Sequence, residues 1–272
     1  MPINSDYYSR QGHVANSNTY LIFKPTLPLS HWLQEFWQLN VPAGKYYYRS
    51  IPDNCVDIII NLNNPEEMFI VTPFSSAKVF EMHGPVSYFG IRFRPLGHHG
   101  LISAPMGYWN NADNVVDAYE LLSKQVLDIL IEGACQSMSF QRRSAHYSMM
   151  LLEVLHNCEI DIRLVRYLQY CGQNITSTVS LSDKQCTEFG VSARQLRRLT
   201  SQYLGLSPKS YSNILRFQQT LQIMNTQGSA AIWANSYYDQ AHFIREFKNL
   251  SGVTPNKFKR LSVLYNTEPL KN

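Results

Sequence analysis

Gly205-Leu206-Ser207-Pro208-Lys209-Ser210-Tyr211 returns later in the chain as Gly252-Val253-Thr254-Pro255-Asn256-Lys257-Phe258. The same offset lays Gln195-Leu196-Arg197-Arg198 over His242-Phe243-Ile244-Arg245. The shared core is G-[LV]-[ST]-P, and it has a mechanical meaning. Glycine takes the left-handed position that ends one helix. Ser or Thr caps the next helix, and Pro fits its first turn, where no amide donor is lost.

A helix therefore lies upstream of each G-x-[ST]-P. Ser192, with Gln195 three positions on, predicts a capping box for a helix over Ala193–Tyr203. Asp239 caps a second helix over Gln240–Leu250. A short helix over Leu181–Phe189, closed by Gly190-Val191-Ser192, precedes the first. Another over Ala230–Asn235, closed by Ser236-Tyr237-Tyr238, precedes the second, and Pro208–Met224 joins the two pairs. Helix, tight turn and second helix make a helix-turn-helix unit, here present twice. A solenoid would need at least three repeats.

Charge supports a polyanionic partner for this half. Residues 161–272 carry 14 Lys+Arg against 6 Asp+Glu, whereas residues 1–160 carry 10 against 14. A basic half after an acidic one points to nucleic acid first and to an anionic membrane surface second. Leu196, Leu199 and Tyr203 form the inner face of the first candidate recognition helix, which leaves Arg194, Arg197 and Arg198 outside. In the second, Phe243 and Phe247 face inward and leave Gln240, His242, Arg245 and Lys248 available. Arg, Gln and His suit base edges and phosphates.

Over residues 181–260 the chain resembles the DNA-binding domain of AraC/XylS-type bacterial transcription regulators. The resemblance runs through Gly190-Val191-Ser192-Ala193-Arg194-Gln195-Leu196, both G-x-[ST]-P segments, and Tyr237-Tyr238-Asp239-Gln240-Ala241-His242-Phe243-Ile244-Arg245-Glu246-Phe247-Lys248. It implies two recognition helices in successive major-groove segments. It further implies base contacts from Arg194 and Arg197, a backbone or base contact from Arg198, and contacts from Gln240, His242 and Arg245. With Gln195 and Lys248 these make up the expected DNA-binding set. Two departures stand out. Ser236 occupies a place the family usually gives to Gly, and Thr200 stands where it usually has an aromatic. One branch of the family is also resembled in the amino-terminal half, through Pro52-Asp53-Asn54-Cys55-Val56-Asp57-Ile58-Ile59 and Gly90-Ile91-Arg92-Phe93-Arg94-Pro95.

The first hundred residues read as short strands. These are Tyr46–Tyr48, Cys55–Leu62, Met68–Val71 and Val86–Phe93, with breaks at Ile51–Asn54, Asn63–Pro65 and His83–Pro85. An early helix is expected over Leu29–Phe36, after Pro28. From about residue 112 the apolar spacing turns helical, over Val115–Ile131, Ser139–His156 and up to Gly172. The polar stretch Gly172–Ser182 reads as a linker. The expected fold class is α+β. A β-rich sensor domain, sandwich or barrel-like, spans 1–111, connecting and dimerising helices span 112–172, and an all-α double helix-turn-helix domain spans 173–272.

Other chemistry is weakly supported. His98-His99 follows a strand end without a partner at ligand spacing, so no metal is expected, and no phosphate-loop motif occurs. Asp53, Cys55 and Asp57 invite a nucleophile reading, yet no base lies nearby; a turn, a buried thiol and a satisfied carboxylate are the simpler assignment. An effector contact from Asp57 stays open. The aromatics Trp32, Phe36, Trp37 and Tyr46–Tyr48 fit core better than a pocket. Five scattered cysteines lack C-x-x-C spacing, and no signal-peptide start or long apolar run occurs. The expectation is a cytoplasmic, homodimeric, sequence-specific transcription regulator binding double-stranded promoter DNA. It has no cofactor, no covalent chemistry and no membrane partner, with RNA polymerase and a small-molecule effector as candidate further partners. The alternatives are a cupin-type metal enzyme fused to a DNA-binding domain and a protein-interaction adaptor.

Overall fold

A computed structural model of the chain describes residues 8–12, 14, 19–102, 104–109, 114–155, 160–175, 182–226 and 237–266. The architecture is α+β: an antiparallel sheet, then helices. Its strands are β1 (Tyr20–Phe23), β2 (Leu33–Ser50), β3 (Val56–Asn61), β4 (Met68–Val71), β5 (Lys78–Phe93), β6 (Val115–Asp117) and β7 (Leu264–Tyr265). Their order is β1-β2-β5-β3-β4-β6, with β7 returning from the carboxyl-terminal end to pair with β2.

The sheet buries one face by simple alternation. Phe36, Ile58, Ile60, Ile70, Phe89 and Ile91 enter the main core. Helices α1 (Lys124–Cys135) and α2 (Phe140–Leu155) cover it with Leu130, Tyr147 and Leu151. The next residue along each strand points the other way. Trp37, Asp57, Tyr88 and Arg92 therefore share the opposite, concave side, and register places Asp57 across from Arg92 and Trp37 across from Gly90.

Three sequence expectations are corrected here. Leu29–Phe36 is not a helix. Only Leu29–His31 makes a single 3-10 turn, and from Leu33 the chain is strand because it pairs residue by residue with β5, from Phe93 backward. Val115–Asp117, read as the start of a helix, is an edge strand on β4, and α1 begins only after the Ser123 cap. His83-Gly84-Pro85 does not break β5, because Gly84 lies opposite Gly44 and β2 carries a matching irregularity between Val41 and Gly44.

The third long helix, α3 (Ile162–Gln173), continues one residue past Gly172 and is capped by Asn174. Sequence reading grouped it with the connector, but its Leu164, Tyr167, Leu168 and Cys171 pack against Leu196, Leu199, Tyr211 and Leu215 of the carboxyl-terminal half. Tyr167 Oη donates to Pro208 O at 3.0 Å. Among the described residues no helix is long and apolar enough to cross a membrane. The expected linker residues 176–181, the helix over Ala230–Asn235 and Ser236 lie outside the described residues.

Candidate nucleic-acid interface

The first helix pair is α4 (Asp183–Glu188) and α5 (Ala193–Leu204), joined through Gly190 at φ 80°. A side chain at that φ would be strained, so glycine is needed for the turn. The capping box at the start of α5 is complete. Gln195 N–H donates to Ser192 Oγ at 3.2 Å, and Ser192 N–H donates to Gln195 Oε1 at 2.9 Å. Gly205, at φ 66°, ends the helix. Leu196, Leu199 and Leu204 are buried, and Arg194, Arg197 and Arg198 are exposed. Thr200, where an aromatic was expected, is fully buried, its hydroxyl donating to Arg197 O at 3.2 Å. A small residue fits because its hydroxyl finds a partner within the helix.

Helix α6 (Pro208–Thr226) carries the chain to α7 (Gln240–Ser251). Asp239 caps α7, accepting from His242 N–H at 2.7 Å, and Gly252 ends it at φ 76°. Phe243 and Phe247 are buried against Phe217, and Arg216 holds Glu246 at 2.6 Å, both side chains largely buried. A hydrogen-bonded ion pair removed from water fixes α7 on α6 more firmly than an exposed pair could. The second G-x-[ST]-P opens α8 (Pro255–Phe258), but the Thr254 hydroxyl makes no cap bond, contrary to expectation. The backbone carbonyl of Thr254 accepts from Phe258 N–H at 2.9 Å instead.

Of the expected DNA-binding residues, Arg194, Arg197, Arg198, Gln240, Arg245 and Lys248 are exposed. Gln195 is exposed too, but its side-chain oxygen is engaged in the capping box. His242 is half-buried, with Nε2 3.9 Å from Glu246 and its ring edge-on to Tyr237. The Gln195 side chain therefore serves the start of α5, whereas His242 serves the Asp239 cap through its backbone N–H.

The β-rich half grips this domain at several points, α5 among them. Asn54 Nδ2 donates to Tyr211 O at 3.2 Å, and Gln218 Nε2 donates to Pro52 O at 2.7 Å. His99 Nε2 donates to Tyr203 O at 3.1 Å, near the carboxyl-terminal end of α5. Sequence reading placed the histidine pair on a surface loop. Instead His98 is 1% exposed, its ring tilted against that of His99 with centroids 4.4 Å apart, and neither of its ring nitrogens has a partner among the described residues. Burial pushes both imidazoles below the ordinary histidine range, His99 adding to the effect on His98. A histidine whose pKa falls on folding stabilises the fold above its unfolded value and loses that contribution as pH drops below about 6.5. Urea midpoints should therefore fall on going from about pH 7.5 to about pH 5.5, and fall less in His98→Leu. An equal drop in both proteins would refute this assignment.

Residues 185–261 match a helix-turn-helix domain family, with both capped recognition helices inside the match. This segment is a helix-turn-helix domain. Residues 21–115, which span most of the sheet, match a domain of unknown function, DUF6597. No curated protein sequence matches the chain. Among solved structures, an apo ToxT variant from Vibrio cholerae aligns over 92% of this chain and 100% of its own, at 13% identity and a TM-score of 0.42. ToxT from Vibrio cholerae with an unsaturated fatty acid bound aligns over 92% of this chain and 96% of its own, at 13% identity and 0.39. Superposition at that level fixes no residue-by-residue correspondence. The helix-turn-helix domain stands on its own match and on its two capped helices. Among the described residues no three His, Cys, Asp or Glu side chains are grouped to hold a metal ion.

Proposed function

We propose that the protein is a cytoplasmic, sequence-specific transcription regulator. In this reading the AraC-type domain reads promoter DNA, and the amino-terminal sheet senses an effector and helps to pair two copies. The observation that carries it is the disposition of α5 and α7. Each is capped and anchored by its apolar face, and each leaves cationic side chains exposed, Arg194, Arg197 and Arg198 on one and Arg245 and Lys248 on the other. Arginine forks suit guanine edges, and lysine suits phosphates. The domain division proposed is a sensor running through β6, a connector of α1 and α2, and a DNA-binding domain from α3 onward. No covalent step is part of this function.

The test is binding to a duplex selected from a random pool, measured across salt concentrations. Counterion release gives a log–log slope of about −0.9 per neutralised phosphate, so five exposed cations should yield a slope steeper than about −3. A slope near zero, or equal binding to anionic vesicles, would exclude promoter recognition.

A further inference from the structure

The concave side of the sheet encloses a cavity of about 320 Å³ that DNA binding leaves unused. Five aromatic side chains line it: Trp37 and Tyr48 from β2, Phe69 from β4, and Phe80 and Tyr88 from β5. The pleat brings them together, since each strand sends alternate residues to this face. Trp37 is held in place. A Cβ on Gly90 would run into its indole, so the missing side chain makes room for the ring, and its Nε1 donates to Asp57 Oδ1 at 2.8 Å.

Charge then narrows the occupant. The acidic residues lining the cavity are Asp57, Glu67 and Glu81, and the one cation among the lining residues is Arg92. Arg92 is already shared. Its Nε lies 3.0 Å from Asp57, and its Nη1 lies 3.6 Å from both Glu35 and Asp53. Three buried carboxylates surround that one guanidinium, and of these Asp57 lines the cavity; at the exposed rim Glu81 is paired with Lys45 at 3.0 Å and Glu67 accepts from Asn61 Nδ2 at 2.7 Å. An anion would meet Asp57, Glu67 and Glu81, while Arg92 and Lys45 are each already engaged by a carboxylate. A neutral apolar molecule would fill the aromatic walls and leave the charge uncompensated. Aromatic faces and carboxylates both attract positive charge.

We propose that this cavity binds a small organic cation, an amine or quaternary ammonium carried on an aromatic or branched apolar body. The assignment names the effector class of the proposed regulator and rests on that reading for its consequence, while the binding itself does not depend on DNA.

The experiment compares three probes on the full-length protein by ligand-observed NMR titration: benzyltrimethylammonium, its neutral carbon isostere neopentylbenzene, and the anion benzenesulfonate. The cation should bind saturably and at least about tenfold more tightly than either other probe. Phe80→Leu and Tyr88→Leu keep apolar bulk but remove a ring face, at half-buried positions. Each should weaken the cation by about fivefold or more and neopentylbenzene by less than about twofold. Glu81→Gln, at an exposed position, should also weaken the cation selectively without disturbing the core. Equal affinity for the neutral isostere, preference for benzenesulfonate, or no saturable cation binding would overturn the assignment. So would variants that weaken both probes alike. Salt-dependent DNA binding measured on the same preparation separates the outcomes. DNA binding without cation binding refutes the cavity assignment alone, and cation binding without DNA binding refutes the regulator reading alone.

Discussion

Arg92→Met is expected to destabilise the β-rich half by about 3–5 kcal/mol, the usual penalty for removing one partner from a buried ion cluster. Methionine nearly preserves length and apolar bulk, so the loss isolates charge and hydrogen bonding. In the native cluster Arg92 Nε donates to both Asp57 oxygens, at 3.0 and 3.2 Å, and Nη2 donates to Asp57 Oδ2 at 3.2 Å. The carboxylates have other donors. Tyr8 Oη reaches Glu35 at 2.7 Å, Gln11 Nε2 reaches Asp53 at 2.9 Å, and Trp37 Nε1 reaches Asp57 at 2.8 Å. Those are neutral donors, and they leave three negative charges close together out of water. Burial already raises the Asp53 carboxyl above its usual range despite Arg92, with the charge of Asp57 adding to the rise. A carboxyl raised on folding opposes folding at neutral pH, and that penalty is relieved as pH falls. The variant should take up protons in this cluster on folding, so its deficit against wild type should shrink between about pH 7.5 and pH 5. Arg92→Lys keeps the charge but not the fork, and should fall between the two. The measurement is urea unfolding followed by tryptophan fluorescence. A deficit under about 1 kcal/mol, or one independent of pH, would rule out a buried excess of carboxylates.

How much of this was legible in the sequence depends on the range of the interactions. The helix-turn-helix units were readable because their signals are local. Gly190, Gly205 and Gly252 all take positive φ, and the Ser192–Gln195 box and the Asp239 cap each close within one turn. Strands were harder, because pairing joins distant residues. Leu33–Phe36 has a spacing that a helix could also bury, and only its ladder with β5 makes it a strand. Val115, Tyr119 and Leu122 mimic a helical stripe, yet the first of them belongs to an edge strand. The Arg92 cluster was half visible. Asp57 stood out in an apolar run and Asp53 in the turn before it, but their partner lies on another strand, brought opposite Asp57 by the β3–β5 register. A charged residue inside each of two apolar strands was the available signal. The aromatics are core, as expected, in two places: Phe36 joins the main core and Trp37 a second buried cluster against which Tyr46 and Tyr48 pack, and Trp37 and Tyr48 line the cavity as well.

Arg197→Ala and Arg245→Ala are expected to relax base preference at two different parts of the binding site, each by about 1–3 kcal/mol at the contacted base pair. The reasoning starts from how each helix is held. Leu196 and Leu199 bury one face of α5, and Phe243 and Phe247 bury one face of α7, so neither helix can roll to present another side. Arg194 and Arg197 are three residues apart and exposed, nearly one turn of the same face, a spacing that lets both point into one groove segment. On α7, Gln240 and Arg245 are exposed and the His242 ring is half-buried beside Tyr237, while on α5 the Gln195 side chain is engaged with Ser192. The groups free to read bases are therefore arginines and one glutamine, which suits guanine and adenine. Two helices on one domain address segments about one helical turn apart, so losing one arginine should leave discrimination in the other segment intact. Lys248 is exposed in the last turn of α7, away from the end that usually reads bases, and suits a phosphate. Lys248→Ala should weaken all sequences about equally and reduce the salt slope by about 1. The measurement is the affinity of each variant for every single-base change across the selected site. If Arg197→Ala and Arg245→Ala lost affinity uniformly, both arginines would be backbone contacts, and specificity would have to come from DNA shape rather than from these two side chains.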